Sequence, residues 1–367
     1  PGNAPVVDNL EKDGAIVIGR TNTPEFSMRG TTDNVIHGRT YNPWNDWASP
    51  GGSSGGASAA VMSGMGSLAH GNDIAGSLRI PSTATGACTV KPGLGRVPAY
   101  NPSQTQERGL IAQLMSVQGV IAREIKDVRL GMRSLINYDP RDPWMVDMPF
   151  ESKAIQSPIK IGFTKETLGE PLHPAIDKAL ENAIAALKDA GYILEEIELP
   201  EFEDAANFSA KTLFGEIKAL HEKDYKKMGS EDFNLVADNY FEIISPFEGE
   251  DLLLGMAKRS YFFREWNLFF RKYPLILTPF LLYPTYEWNR DVQGIEGTKE
   301  VLAGMFYAHT MNYMGIPAGV VSANYNDGLP VGVQIISTRF REDIILNACE
   351  EIEKRVGIMA AKLFEKG

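Results

Sequence analysis

Apolar positions along the chain fall into helical periods and short unbroken runs. From Pro174 onward, Ile176, Leu180, Ile184 and Leu187 recur at helical spacing, and Pro174 suits a first helical turn. Gly191 ends that helix, and residues 192–199 follow as a strand. Residues 200–272 read as mostly helical and carry many aromatic side chains. Residues 319–323 and 331–336 are strand-like runs separated by a loop holding Asp327-Gly328, a hairpin turn signal, and Ile344, Ala348 and Ile352 mark a closing helix. Near the other end, Ala15-Ile16-Val17-Ile18 is an apolar run ending at Gly19, which predicts a buried strand in a sheet covered on both faces. Helix formers from Ala57 to Met65 follow a glycine loop, with Val61, Met62, Met65 and Leu68 at core-forming spacings, so a flexible linker is excluded. The chain has no internal repeat and no clear linker. Strands alternating with helices predict an α/β fold: one large domain with a mixed, mainly parallel twisted sheet and helices on both faces.

Composition narrows the function classes. With 43% hydrophobic and 23% charged residues, the chain belongs with soluble globular proteins. A net charge of −11 without a Lys/Arg-clustered stripe argues against a nucleic-acid partner. Two cysteines, Cys88 and Cys349, are too few for a disulfide framework. They suit a reducing compartment, so a cytoplasmic location is expected, and neither has a neighbour at metal-ligand spacing. No run reaches the ~18 apolar residues of a membrane span. The most apolar stretch, 273–283, holds Thr278 and is broken by Pro274 and Pro279, as a buried strand and loop would be. The sequence starts at Pro1 rather than Met, so a preceding segment is expected.

Candidate chemistry concentrates in two serine loops. The first is Ser49-Pro50-Gly51-Gly52-Ser53-Ser54-Gly55-Gly56. A phosphate loop would need a lysine after the second glycine, and none follows. The stretch also matches G-x-S-x-G, but that elbow needs a preceding strand, and Asp46 to Pro50 makes a poor one. The second loop is Gly71-Asn72-Asp73-Ile74-Ala75-Gly76-Ser77-Leu78-Arg79-Ile80-Pro81, with one helix and one strand between the two. Small residues before Ser77 let backbone N–H groups approach a ligand, as an oxyanion requires. A serine hydroxyl is a weak nucleophile and needs a base. Taken alone, these residues leave open one shared site or two unrelated tight turns.

The order and spacing of several motifs resemble the amidase signature family. They are Gly19-Arg20-Thr21-Asn22-Thr23-Pro24-Glu25-Phe26, the Gly-Gly-Ser-Ser-Gly-Gly loop, residues 73–81, and Lys91-Pro92-Gly93-Leu94-Gly95-Arg96. Asn312 to Pro317 and Gly328 to Gln334 extend the similarity to the other end of the chain. The resemblance implies amide hydrolysis with no metal and no cofactor. It makes Ser77 the nucleophile and Ser53 a bridging serine held through a cis peptide bond. Ile74, Ala75 and Gly76 would supply backbone N–H groups to an oxyanion hole. Ser54, Asp73 and Arg79 would support the loops, the last two as an ion pair. By the same resemblance, attack on the amide gives a tetrahedral oxyanion, then an acyl-enzyme on Ser77 that water hydrolyses. The signature core would occupy residues 1–150, a variable substrate-pocket region 200–290, and core strands and a helix 300–367.

Three features depart from the family pattern or compete with it. Asn72 and Ala75 stand where the family commonly has threonine and glycine, and the Ala75 methyl is tolerable only if its φ is negative. The base implied by the resemblance is a neutral lysine on a strand that would precede Pro1, so it is expected outside this chain. Lys12 reads as a surface lysine, and Lys91 aligns with a position that is not the base. His37, His70 and His309 could serve a Ser-His-Asp arrangement, but a histidine in such loops is more often a structural hydrogen-bonding residue. Aromatic and Met residues between about 202 and 289 point equally to an apolar acyl pocket and to simple core. The expected partner is a small-molecule amide, with a homodimer allowed. Two other readings stand beside the amidase: a glutamine-hydrolysing subunit of an amidotransferase, and an inactive fragment or pseudoenzyme without the lysine.

Overall fold

The computed structural model describes residues 2–366. Eight strands form one sheet: β1 (Leu68–Asp73), β2 (Cys88–Lys91), β3 (Val117–Ala122), β4 (Lys160–Phe163), β5 (Ile193–Glu196), β6 (Leu275–Pro279), β7 (Ala318–Asn326) and β8 (Leu329–Ile336). Their spatial order is β1-β3-β2-β7-β8-β6-β4-β5. The helices are α1 (Pro5–Lys12), α2 (Gly55–Met62), α3 (Arg79–Thr85), α4 (Leu110–Met115), α5 (Ile125–Leu135), α6 (Pro174–Asp189) and α7 (Phe202–Met228). They continue with α8 (Glu231–Ile244), α9 (Gly249–Phe270), α10 (Gly294–Ala303), α11 (Phe306–Met314), α12 (Glu342–Val356) and α13 (Met359–Glu365).

The fold is α/β with a mixed sheet, but the expected parallel majority is reversed. Among the described residues five of the seven neighbouring pairs are antiparallel, and only β4–β5 and β4–β6 are parallel. Helices between successive strands suggested parallel crossovers, yet most of them carry the chain to a strand that is not its neighbour. β7 and β8 instead form a direct hairpin through the Asp327-Gly328 turn. One face of the sheet is covered by apolar residues of α5, α6 and α12, among them Val128, Ile176, Leu180 and Ile345. The other is covered from α3, α4, α7, α9 and α11, including Ile80, Met115, Trp266, Tyr307 and Met311.

The run 15–18 corrects a second expectation. It forms no strand, and Ile16 and Ile18 are 86% and 75% exposed. A short apolar run becomes a buried strand only when neighbours take its backbone N–H and C=O groups. Among the described residues no strand pairs with it; Ile18 only approaches the Gly66 turn that leads into β1.

Candidate active site

Asp73 ends β1, at the edge of the sheet opposite Val117 of β3, and the chain must then turn sharply into α3. Its carboxylate organises that turn. Oδ1 accepts the Gly76 N–H at 2.8 Å, and Oδ2 accepts the Leu78 N–H at 3.1 Å and the Arg79 N–H at 3.4 Å. The Arg79 guanidinium closes on the same carboxylate through Nε at 3.1 Å and Nη2 at 3.0 Å, with both side chains fully buried. Gly76 has φ +107°, and a side chain there would lie 2.7 Å from the Ala308 Cβ, so both conformation and space require glycine. Ala75 stays outside the positive-φ region, so its extra methyl is accommodated. Asn72 donates to Ser116 Oγ and Val117 O, tying the end of β1 to the start of β3.

Sequence reading missed the partners that complete this network. Arg79 donates to Ala308 O at 2.9 Å and Asn312 Oδ1 at 2.6 Å on α11, and to Gln334 Oε1 at 2.8 Å on β8. Asn312 in turn donates to Asp73 O and Met115 O, both at 2.9 Å, so α11 is fastened directly to the loop. Their signal was present: Gln334 and Asn312 are fully buried amides inside otherwise apolar segments, and buried polar groups need partners. Burial alone would raise the Asp73 carboxyl. The charge and hydrogen bonds of Arg79, the charge of Lys91 and the Gly76 N–H outweigh it and hold Asp73 below the ordinary carboxylate range.

The first serine loop is held differently. The Gly52–Ser53 peptide bond is cis. A side chain on Gly51, at φ +77°, would strike Pro81 Cα at 2.7 Å, and one on Gly52 would strike Arg29 O at 2.3 Å. Thr32 Oγ1 donates to Gly51 O at 2.8 Å and accepts the Gly55 N–H at 3.2 Å. Ser49 Oγ accepts the Gly51 N–H at 3.1 Å. The two loops meet through the main chain, where the Ser54 N–H donates to Ser77 O at 3.2 Å. Ser54 also packs over Gly71, where a Cβ would come within 2.7 Å of its Oγ.

Ser53 and Ser77 are buried side chains, yet neither hydroxyl is sealed from solvent or hydrogen bonded within the described residues. The N–H groups of Ile74, Ala75 and Ser77 likewise meet no acceptor there, whereas that of Gly76 is occupied by Asp73. The turn therefore carries backbone donors without acceptors within a few residues of the Ser77 hydroxyl.

The remaining candidates make no hydrogen bond to Ser53 or Ser77 among the described residues. Lys12 is exposed at the end of α1, and His37 is exposed. His70 lies exposed on β1 and pairs with Gln118. Lys91 is fully buried, and its Nζ donates to Pro92 O at 2.9 Å rather than to either serine. Burial first, and then the Arg79 charge, push Lys91 down to about 7 against the opposing pull of Asp73 and Glu342. His309 sits on α11, and its Nδ1 pairs with Ser209 Oγ of α7.

The family model described as Amidase matches residues 1–346. The chain belongs to the amidase family. This amidase is 40% identical to an indoleacetamide hydrolase of Bradyrhizobium japonicum, across 100% of the chain and 79% of that relative. A glutamyl-tRNA(Gln) amidotransferase subunit of Methanosarcina acetivorans is more distant, at 29% identity across 96% of the chain and 78% of the relative. Among solved structures, a bacterial aryl acylamidase of the amidase signature family superposes with TM-score 0.79 at 26% identity, covering 99% of the chain and 76% of that structure. A 6-aminohexanoate cyclic dimer hydrolase gives TM-score 0.80 at 25% identity, covering 96% and 78%. The protein is thus a hydrolase of amide carbon–nitrogen bonds, and among its described residues no helix is long and apolar enough to cross a membrane.

Proposed function

We propose that this amidase hydrolyses a small aryl-bearing acetamide through an acyl-enzyme on Ser77. The observation that carries the reading is the Asp73–Arg79 turn, which presents the unoccupied N–H groups of Ile74, Ala75 and Ser77 beside a solvent-reachable hydroxyl. Ser77 Oγ attacks the amide carbonyl carbon, and the carbonyl oxygen gathers negative charge against those N–H groups. The hydroxyl proton passes to Ser53 and from Ser53 to a base. When the carbon–nitrogen bond breaks, that proton goes to the departing nitrogen, releasing ammonia or an amine. Water then cleaves the Ser77 ester, giving the carboxylic acid and restoring the hydroxyl. The base in this reading is a neutral lysine, a role that neither the exposed Lys12 nor Lys91, whose Nζ is bonded to Pro92 O, fills.

The aryl-acetamide class draws on the indoleacetamide hydrolase relative and on the composition of α7–α9. Phe202, Phe262, Trp266 and Phe270 are core, while Phe208 and Phe214 are only partly covered. The full-length protein should take up one fluorophosphonate equivalent at Ser77, located by peptide mass spectrometry, and release ammonia from indole-3-acetamide. Ser77→Ala should abolish both. An adduct at another serine, or turnover surviving in the Ser77→Ala protein, would overturn the assignment. A folded full-length protein that takes no adduct would favour the inactive reading instead.

A further inference from the structure

His309 occupies a position that the hydrolytic chemistry does not use. Helix α11 turns one face to both serine loops, through residues at helical spacing. Met305, at the start of that helix, lies 3.1 Å from where a Gly30 side chain would be, and Gly30 itself backs onto Gly52 of the first loop. Ala308 abuts Gly76 of the second loop, and Asn312 is bonded to Asp73 and Arg79. His309 falls on the same face, four residues after Met305 and three before Asn312. It is half-buried, and its ring is anchored by Ser209 from α7, a helix of the variable region.

The Ser209 hydroxyl lies within hydrogen-bond distance of both Ala206 O, at 2.9 Å, and His309 Nδ1. When its single proton goes to Ala206 O, its oxygen can only accept, and the ring proton of His309 sits on Nδ1. Nε2 is left with its lone pair. It meets no protein donor among the described residues, and it is not sealed from solvent. Burial, with a smaller contribution from the Arg79 charge, pushes this imidazole down to about 3, so the ring stays neutral at ordinary pH. A neutral, pre-oriented acceptor beside two serine loops has an evident use: it can receive a hydrogen bond from the part of the substrate that does not react.

We propose that His309 Nε2 is a specificity-determining acceptor that recognises an N–H donor on the acyl arm of the substrate, such as the pyrrole N–H of an indole, with Ser209 as its positioning residue. This rests on the aryl-acetamide reading above. An acceptor of this kind discriminates because a ligand lacking the N–H leaves it unpaired and dehydrated.

The test compares indole-3-acetamide with benzofuran-3-acetamide, which has oxygen in place of the N–H and nearly the same shape. Binding is measured by isothermal titration to full-length Ser77→Ala protein, so that no turnover intervenes. We expect roughly tenfold tighter binding of the indole. In His309→Phe that preference should fall to within about twofold, while His309→Gln, which can still accept, keeps part of it. Ser209→Ala, which frees the tautomer, should weaken it to an intermediate ratio. Thermal melting confirms that each variant is folded, and if His309→Phe is not, the Ser209→Ala and His309→Gln ratios decide. A preference unchanged in these variants, or equal binding of the two ligands to the parent, overturns the proposal while leaving the amidase reading intact. Failure of both ligands to bind overturns the aryl-acetamide reading together with it.

Discussion

The loop carrying Ser77 is held by charge, and the loop carrying Ser53 by close packing and the hydroxyls of Thr32 and Ser49. In the first, a buried carboxylate accepts three backbone N–H groups and a bidentate guanidinium, and that guanidinium continues to α11 and β8. In the second, Gly51 and Gly52 lie against Pro81 and Arg29 with no room for a side chain, and Thr32 bridges Gly51 to Gly55. The difference teaches how each loop can fail. A charge network is rigid while complete, but removing one member strands the others in a low dielectric. A packed loop tolerates the loss of one hydrogen bond better, because its shape is fixed by many small contacts.

The contrast is broken most severely by Arg79→Met. That change leaves Asp73 charged and buried without its partner, so we expect a loss of about 3–5 kcal/mol of folding stability in denaturant titration. Thr32→Val removes only the bridge, leaving Gly51 O and the Gly55 N–H without it, and should cost about 1–3 kcal/mol in the same assay. Costs of equal size would mean that the two loops are not held by different means.

A pH titration sharpens the comparison further. Lys91 has a folded-state value near 7, depressed below its ordinary value. Between pH 7 and the ordinary lysine range the unfolded chain therefore binds more protons than the folded one, and stability rises with pH. Below pH 7 the penalty of the buried ammonium is present in full. Lys91→Met should flatten this rise, by at most about 1.4 kcal/mol per pH unit, in melts from pH 7 to 10. The smallest effect is expected for His70→Ala on exposed β1: stability within about 0.5 kcal/mol of the parent, and indole-3-acetamide turnover within about twofold.

Much of the fold was legible because its signals are local. The periodicity of Ile176, Leu180, Ile184 and Leu187 appears as α6, and the Asp327-Gly328 turn joins β7 to β8. Strand direction was not legible, because it depends on which strands become neighbours rather than on any one segment. Ala15 to Ile18 looks like β6 by composition, but β6 lies between β8 and β4 whereas the first run has no partner among the described residues. At the site, Ser77 and the Asp73–Arg79 pair lie six residues or fewer from one another and could be read together. Asn312 and Gln334 sit more than two hundred residues away in the chain, and only folding brings them to Arg79.

The exposed Ile16, Val17 and Ile18 also bear on how this polypeptide behaves in the test tube. Each molecule shows this apolar strip on a body of net charge −11. At about 0.1 M salt the repulsion between bodies reaches across roughly 10 Å, whereas near 1 M it shrinks to about 3 Å. Samples of this chain should therefore stay monodisperse in dilute buffer and become turbid as ammonium sulfate is added. Replacing Val17 with lysine should move that cloud point to higher salt while leaving the melting temperature unchanged.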